Sequence, residues 1–212
     1  MARRHDPGRR ERIIDAAIRV VAAEGIAGLS HRTVAAEADV PLGSTTYHFA
    51  SLDELLVAAL RRCNESFVRT VRESPYLLDP AVPLADGLTR LAGEWFAAGR
   101  GPLELEYELY LAALRRPALR PVATEWADAL AALLADRTDR ATARALAALL
   151  DGICLGVLLG GGDFDAAWTR EMLGRIVAGA PGAEGPPGPT GRRAARRLPA
   201  DETGSPERGP GG

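Results

Sequence analysis

Apolar residues return every three or four positions over most of residues 9–178, the spacing of one buried helical face. Arg9 to Glu24 carries Ile14, Ala17, Ile18 and Val21 on such a face, and Gly25 is placed to end it in a left-handed conformation. Ile26 to Leu29 is a link. Ser30 to Phe49 reads as two very short helices with a tight corner. Ser30 is the N-cap of the first, with Leu29 and Val34 as a hydrophobic staple around it. Val34, Ala35 and Ala38 face inward. Pro41 takes the first position of the second, Pro41 to Tyr47, where its missing N–H costs nothing. Ser51-Leu52-Asp53-Glu54 is a capping box that opens a long helix, Leu52 to Glu73, with Leu55, Leu56, Ala59, Leu60, Cys63 and Phe67 on its buried side. Pro75 to Pro83 breaks the pattern.

Four further helices follow: Leu84 to Ala98, Leu103 to Arg115 after a Gly99–Pro102 break, Pro117 to Asp136 with a distortion at Pro121, and Thr138 to Leu159. Phe164 to Ala178 is the last. Thr138 to Leu159 has two stripes. Leu146, Leu149, Leu150, Ile153 and Val157 form one; Gly152, Gly156 and Gly160, spaced by four, form the other. Each glycine costs about 1 kcal/mol relative to alanine inside a helix, and close approach of a partner helix would offset that. Trp168, Met172, Leu173 and Ile176 share one side of the last helix. No strand pattern and no internal repeat is visible, so the expected fold is all-α with about nine helices.

Composition sharpens this reading. A chain of 212 residues with 47% hydrophobic content can hold one small module and one larger helical domain. The expected division is a basic flexible arm (1–8), a small module (9–51), a larger domain (52–180) and a disordered tail (181–212). The tail is Pro, Gly, Arg and acidic residues and cannot bury enough surface to order itself. Its Arg192-Arg193 and Arg196-Arg197 pairs are either passive or loose contacts for nucleic acid. Net charge is only −2, so a nucleic-acid site must be a local patch. All 26 basic residues are arginine, as GC-rich coding would give. Arg3, Arg4, Arg9 and Arg10 could lie along a phosphate backbone. Cys63 and Cys154 suggest reduced thiols and a cytoplasmic protein. MARRHDPGRR lacks the apolar region of a signal peptide. Ile153 to Leu159 is too short for a bilayer, so no membrane is expected.

The candidate chemistry is narrow. His5, His31 and His48 do not pair with Cys or Glu at metal-ligand spacing, so no metal is expected. No phosphate loop follows a strand, and no serine sits in a nucleophile elbow. No catalytic residue, no enzyme activity and no cofactor are expected. By contrast, Ser44, Thr45, Thr46, Tyr47 and His48 crowd hydroxyls and an imidazole onto about two turns. A braced helix of that kind suits the major groove of DNA.

VPLGSTTYHFASLDELL resembles the end of the DNA-binding domain of TetR-family transcriptional repressors: a Val, a short Gly/Thr-containing helix, an aromatic-His-aromatic close and a Ser-initiated fourth helix. The likeness is close from Arg9 to Leu60. It implies that Ser44 and Thr45 lie near base edges or adjacent phosphates, with Tyr47 and His48 at the backbone and Gly43 allowing close approach. His31, Arg32 and Thr33 are placed for contact, and Arg32 is the best direct reader because a guanidinium can grip guanine O6 and N7. Leu42 and Leu52 depart from the family pattern, where polar or lysine residues are common, so fewer charged contacts are expected. Tyr47 packed against the first helix, and His48 in a structural hydrogen bond, are the plain alternatives.

The resemblance also implies an inducer pocket for a small hydrophobic or amphipathic ligand, with Trp95, Phe96, Tyr107, Tyr110, Trp126 and Cys154 as candidate lining. Each could equally be ordinary core. Glu104 and Glu108 would favour a cationic ligand if turned inward; a solvated face is the alternative. A homodimer interface is expected at Leu149, Gly152, Ile153, Gly156, Val157, Gly160, Trp168, Met172 and Ile176, and double-stranded DNA with a palindromic operator as the target. Ligand would shift the Leu52–Glu73 helix and release DNA. A helical enzyme using Glu104, Glu108 or Cys154, an adaptor with a vestigial helix-turn-helix, and an activator of the same fold are the rivals.

Overall fold

The computed structural model describes residues 7–180. Most of the basic arm, and the tail from 181, lie outside the described residues. Within them the chain forms ten α-helices, two 3₁₀ turns and no strand. The helices are α1 (Arg9–Glu24), α2 (His31–Glu37), α3 (Leu42–His48), α4 (Leu52–Glu73), α5 (Pro75–Leu78), α6 (Leu84–Ala97), α7 (Arg100–Ala112), α8 (Arg120–Leu134), α9 (Arg140–Gly160) and α10 (Ala166–Ala178).

The capping chemistry written in the sequence sets the ends. Ser30 Oγ accepts from Thr33 N at 3.1 Å, and Thr33 Oγ1 accepts from Ser30 N at 2.9 Å, so threonine closes the box where glutamate is usual. Ser51 Oγ accepts from Glu54 N at 3.1 Å, but Glu54 reaches one residue further back, to Ala50 N at 2.7 Å. Gly25 ends α1 at φ 70° and ψ 176°, outside the left-handed helical well but still a conformation that favours glycine.

The prolines fall otherwise than the pattern predicts, for one reason. The first turn of a helix leaves its N–H groups unbonded, so proline is accepted there. Pro121 sits in the first turn of α8 and distorts nothing. Pro102 is taken into α7, which therefore starts at Arg100. Pro75 starts a one-turn helix, α5, inside the expected break. Pro41 precedes α3 as its N-cap.

Two hydrophobic clusters form. The first joins α1, α2 and Leu55, Leu56 and Leu60 of α4 to Leu109 of α7, to Ala113 just past its end, and to Leu119, Val122 and Trp126 around α8. The small module's core thus extends beyond residue 51. The second lies among α6 to α10 and includes Val71 from the far end of α4. With 22 residues, α4 is on the order of 33 Å long, and it serves both clusters. Phe67 packs against both.

Arginines fasten the irregular segments. Arg137 donates to the carbonyls of Leu77 (3.2 Å) and Val82 (2.8 Å), tying the α5 loop to the end of α8. Arg62 reaches from α4 to Glu11 and Asp15 of α1. Arg100 donates to the carbonyls of Val157 and Leu158 near the C-terminus of α9, where positive charge is favoured. The apolar stretch of α9 is longer than the Ile153–Leu159 run. By length and composition this helix could cross a membrane, yet one face is packed in the fold, and 33% of its most apolar stretch is buried.

Candidate DNA-reading face and ligand pocket

The reading head is built by burying one side of α3. Thr45 is fully enclosed, and its hydroxyl donates to Leu42 O at 2.8 Å and faces His31 O at 3.4 Å. That fixes α3 against the start of α2. Ser44 is buried beside it. Neither Ser44 nor Thr45 is free to reach a base edge, because the short helix needs a buried side and these two residues supply it. Thr33 is likewise committed: its hydroxyl serves Ser30 and donates to Gly28 O. The helix turns the other face outward, at the i, i+1, i+4, i+5 spacing of Leu42, Gly43, Thr46 and Tyr47. Tyr47 is 83% exposed and touches His48 edge-to-face at 5.1 Å; it does not pack on α1. Arg32 is exposed and has no ion pair among the described residues. His31 is half-buried, with Nδ1 unpartnered. A Cβ on Gly43 would meet nothing within 4 Å, so the chain's own packing does not demand glycine there. Leu42 and Thr46 therefore take the outward places, which helical period alone identifies once Thr45 is inside.

In the larger domain, Tyr107 and Tyr110 of α7 converge on Trp126 of α8, with ring centroids 5.9 and 4.8 Å away. Phe67 of α4 closes a third side at 6.1 Å, and Asp151 of α9 a fourth. Tyr107 Oη donates to Asp151 Oδ1 at 3.1 Å. The free space is about 10 Å³, enough for one water, so the rings themselves fill the chamber. Burial raises the Tyr107 hydroxyl and the Asp151 carboxyl above their ordinary values. Tyr107, Tyr110 and Trp126 are therefore brought together. Trp95 lies on the other side of Phe67, 5.5 Å from it. Phe96 instead stacks on Phe164 at 5.2 Å, a packing contact between α6 and the loop that precedes α10. Cys154 is buried outside the lining; burial, then the nearby Asp151 charge, pushes its thiol up to about 12. Asp151 was missed, but it is the one charged residue between Arg144 and Asp163, which is a signal in itself.

Neither expected acid enters this chamber. Glu104 is exposed and pairs with Arg100 at 3.3 Å. Glu108 Oε1 accepts from Ile26 N at 2.6 Å, at the corner between α1 and α2. On α7, Tyr107 and Tyr110 face the pocket, Glu108 touches the head, and Leu109 lies in the head's core.

On the outer side of α9, Gly152, Gly156 and Gly160 have open space above them, and Leu159 is 80% exposed. Trp168 of α10 is also exposed, and Met172 and Val157 are half-buried. Ile153 is buried within the chain, and Leu149 and Ile176 pack on the second cluster, because α9 and α10 turn those positions inward. These three are poorly placed for a partner.

Residues 13–59 match the family model described as bacterial regulatory proteins, tetR family. Residues 79–179 match the tetracyclin repressor-like C-terminal domain. The multidrug binding protein EbrR, solved with imidazole, is 67% identical, with a TM-score of 0.76 over 81% of this chain and 96% of that one. EbrR has also been solved with ethidium, proflavin and malachite green. A TetR-family member from Streptomyces coelicolor A3 is 66% identical, with a TM-score of 0.73 over 80% of this chain and 98% of that one. The nicotine-responsive transcriptional repressor HdnoR of Paenarthrobacter nicotinovorans is 40% identical over 63 residues, 30% of this chain and 32% of HdnoR. The chain spans about a third of the length of the curated relatives it matches. The matched head, the matched helical domain and the likeness to EbrR over nearly that whole protein place this chain in the TetR family of transcriptional regulators, with a DNA-binding helix-turn-helix and a ligand-binding helical domain.

Proposed function

We propose that the chain is a cytoplasmic homodimeric repressor that grips a palindromic operator and is released by a small aromatic cation. The observation that carries this reading is the composition of α7. Consecutive residues of one rigid helix meet the ligand chamber (Tyr107, Tyr110) and the reading head (Glu108, Leu109). A ligand that enters must push the Tyr107, Tyr110 and Trp126 rings apart, since only about 10 Å³ is free. Any displacement of α7 bears directly on the head. The ligand class follows from the lining: aromatic faces favour cations, and Asp151 offers a carboxylate. Ethidium, proflavin and malachite green, with which EbrR has been solved as well as with imidazole, are aromatic cations of this kind.

The second copy follows from α9. Its glycine edge and exposed Leu159, with Trp168 beside it, leave an apolar face that a symmetry-related α9–α10 pair would cover. Two heads then meet half-sites about one helical turn apart. Arg32, Gly43, Thr46 and Tyr47 would touch DNA, with Leu42 against a thymine methyl. The effector is the one small molecule this mechanism needs; no cofactor enters it.

The test is reciprocal linkage. Bound duplexes are selected from random DNA, and affinity is read by fluorescence anisotropy with and without tetraphenylphosphonium, an aromatic cation that does not intercalate. A ligand that quenches tryptophan fluorescence should weaken operator binding at least tenfold. Quenching with unchanged operator affinity would end the proposal.

A further inference from the structure

We propose that the cleft between α4 and the α6–α7 corner is a second ligand subsite, which holds the cationic head of a monocyclic aromatic amidine or amine against Glu106, with Phe67 as the wall that divides it from the Tyr107–Trp126 chamber. This rests on the reading that the effector is an aromatic cation.

The cavity has about 110 Å³ of free space, lined by Ser66, Phe67, Thr70, Trp95, Leu103 and Glu106 among others. Apolar cavities of roughly 150 Å³ accept benzene, so one six-membered ring is the right scale. The chamber beyond Phe67 holds only about 10 Å³, so the open room is on the Glu106 side. Phe67 and Trp95, 5.5 Å apart and tilted by 44°, offer two aromatic faces.

Glu106 is what makes the cavity a site. It is half-buried and has no hydrogen bond or ion pair among the described residues. The neighbouring acids are satisfied: Glu104 by Arg100, Glu108 by Ile26 N, and Asp151 by Tyr107. The charged groups that act on its surroundings are no substitute. Cys63 and Cys154 are neutral thiols raised to about 12, and Tyr107 is a neutral phenol. A carboxylate partly withdrawn from water without a partner is costly, and a cation seated between it and two rings reduces that cost. Burial alone raises the Glu106 carboxyl to about 7, as expected of a carboxylate that lacks its counter-ion.

Benzamidine is the probe, titrated calorimetrically into the full chain. Binding should weaken at least tenfold in Glu106→Gln, stay within twofold in Asp151→Asn, and be undetectable for neutral benzamide. In the background Phe67→Ala, with the wall removed, Asp151→Asn should weaken benzamidine as well. Helix content of each variant by circular dichroism separates misfolding from lost recognition, and Trp95→Leu supplies an independent loss at the opposite wall. Equal binding of benzamide, sensitivity to Asp151 alone, or no benzamidine binding in a chain that binds tetraphenylphosphonium would overturn the subsite while leaving the aromatic-cation reading intact. Failure of the chain to bind either cation would refute both.

Discussion

The reading head and the ligand domain solve opposite packing problems. In the head, nearly every polar group near the core has a partner. Thr45, Thr33 and Ser30 spend their hydroxyls on the backbone, and the result is a small rigid wedge. In the ligand domain, Glu106 has no hydrogen-bond or ion-pair partner among the described residues, Asp151 has one phenol, and the aromatic rings fill a chamber by touching one another. The hydroxyls of Thr45, Thr33 and Ser30 are satisfied by the chain itself, although His31 Nδ1 has no partner among the described residues. The ligand domain leaves polar groups and ring faces that a further molecule would complete. Rigidity suits the part that must match DNA, and incomplete satisfaction suits the part that must respond.

The sharpest way to break this contrast is within α3. Thr45→Val keeps the shape but removes the hydroxyl, leaving the Leu42 and His31 carbonyls short of a donor. Stability should fall by about 1–3 kcal/mol, read by urea denaturation. Tyr47→Ala, two residues on, should change stability by less than about 0.5 kcal/mol because the ring is exposed, while operator affinity drops. Equal destabilisation by the two would show that the head is not organised around Thr45.

That pair also shows what was legible in the sequence. Helices, caps and the staple are local signals, so the head's elements could be read directly. The direction of each side chain on a seven-residue helix depends on which face meets α2, a tertiary fact. Hydroxyl-rich residues looked like readers when two of them are fasteners. The pocket was harder still. Tyr107, Tyr110 and Trp126 were visible as aromatics, yet their convergence joins two helices, and the sandwiching of Phe67 between Trp95 and Trp126 joins three. Glu106 stood in a run of alternating acids with Glu104 and Glu108, and only packing separates the buried one from the two at the surface.

The next effect concerns that buried acid. The folded-state value of Glu106 is raised from 4.5 to about 7, so between these values the folded chain binds more protons than the unfolded one. Its contribution is therefore full below about pH 4.5 and is lost as pH rises to about 7, with a plateau beyond. The loss is on the order of 1–3 kcal/mol, discounted for partial solvent access. Asp151 is raised in the same direction by desolvation, but its residue is exposed, so water screens it and its share is the smaller. Glu106→Gln should flatten the slope in denaturation midpoints measured from pH 5 to 8. A slope unchanged by that substitution would place the ligand domain's polar groups on the same satisfied footing as the head's.

The smallest effect tests the joint between the two regions. Glu108 accepts from Ile26 N at 2.6 Å, beside Gly25, where an added Cβ would come within 3.1 Å of the same carboxylate oxygen. This contact is exposed, so Glu108→Ala should cost no more than about 1 kcal/mol of stability. Its larger consequence is for coupling. With the strap cut, α7 still reaches the head through Leu109, and through Ala113 at its C-terminal end, but apolar contacts slide where a hydrogen bond holds position. Operator affinity without ligand should stay within twofold. The ligand-induced loss of affinity should shrink by about 0.5–2 kcal/mol, the range found for residues that link sites without touching either ligand. Glu108→Gln keeps an acceptor for Ile26 N and should restore most of the coupling. If both variants behave as the unaltered chain does, the signal runs through α4 alone, and the adjacency of Glu108 to the head is structural.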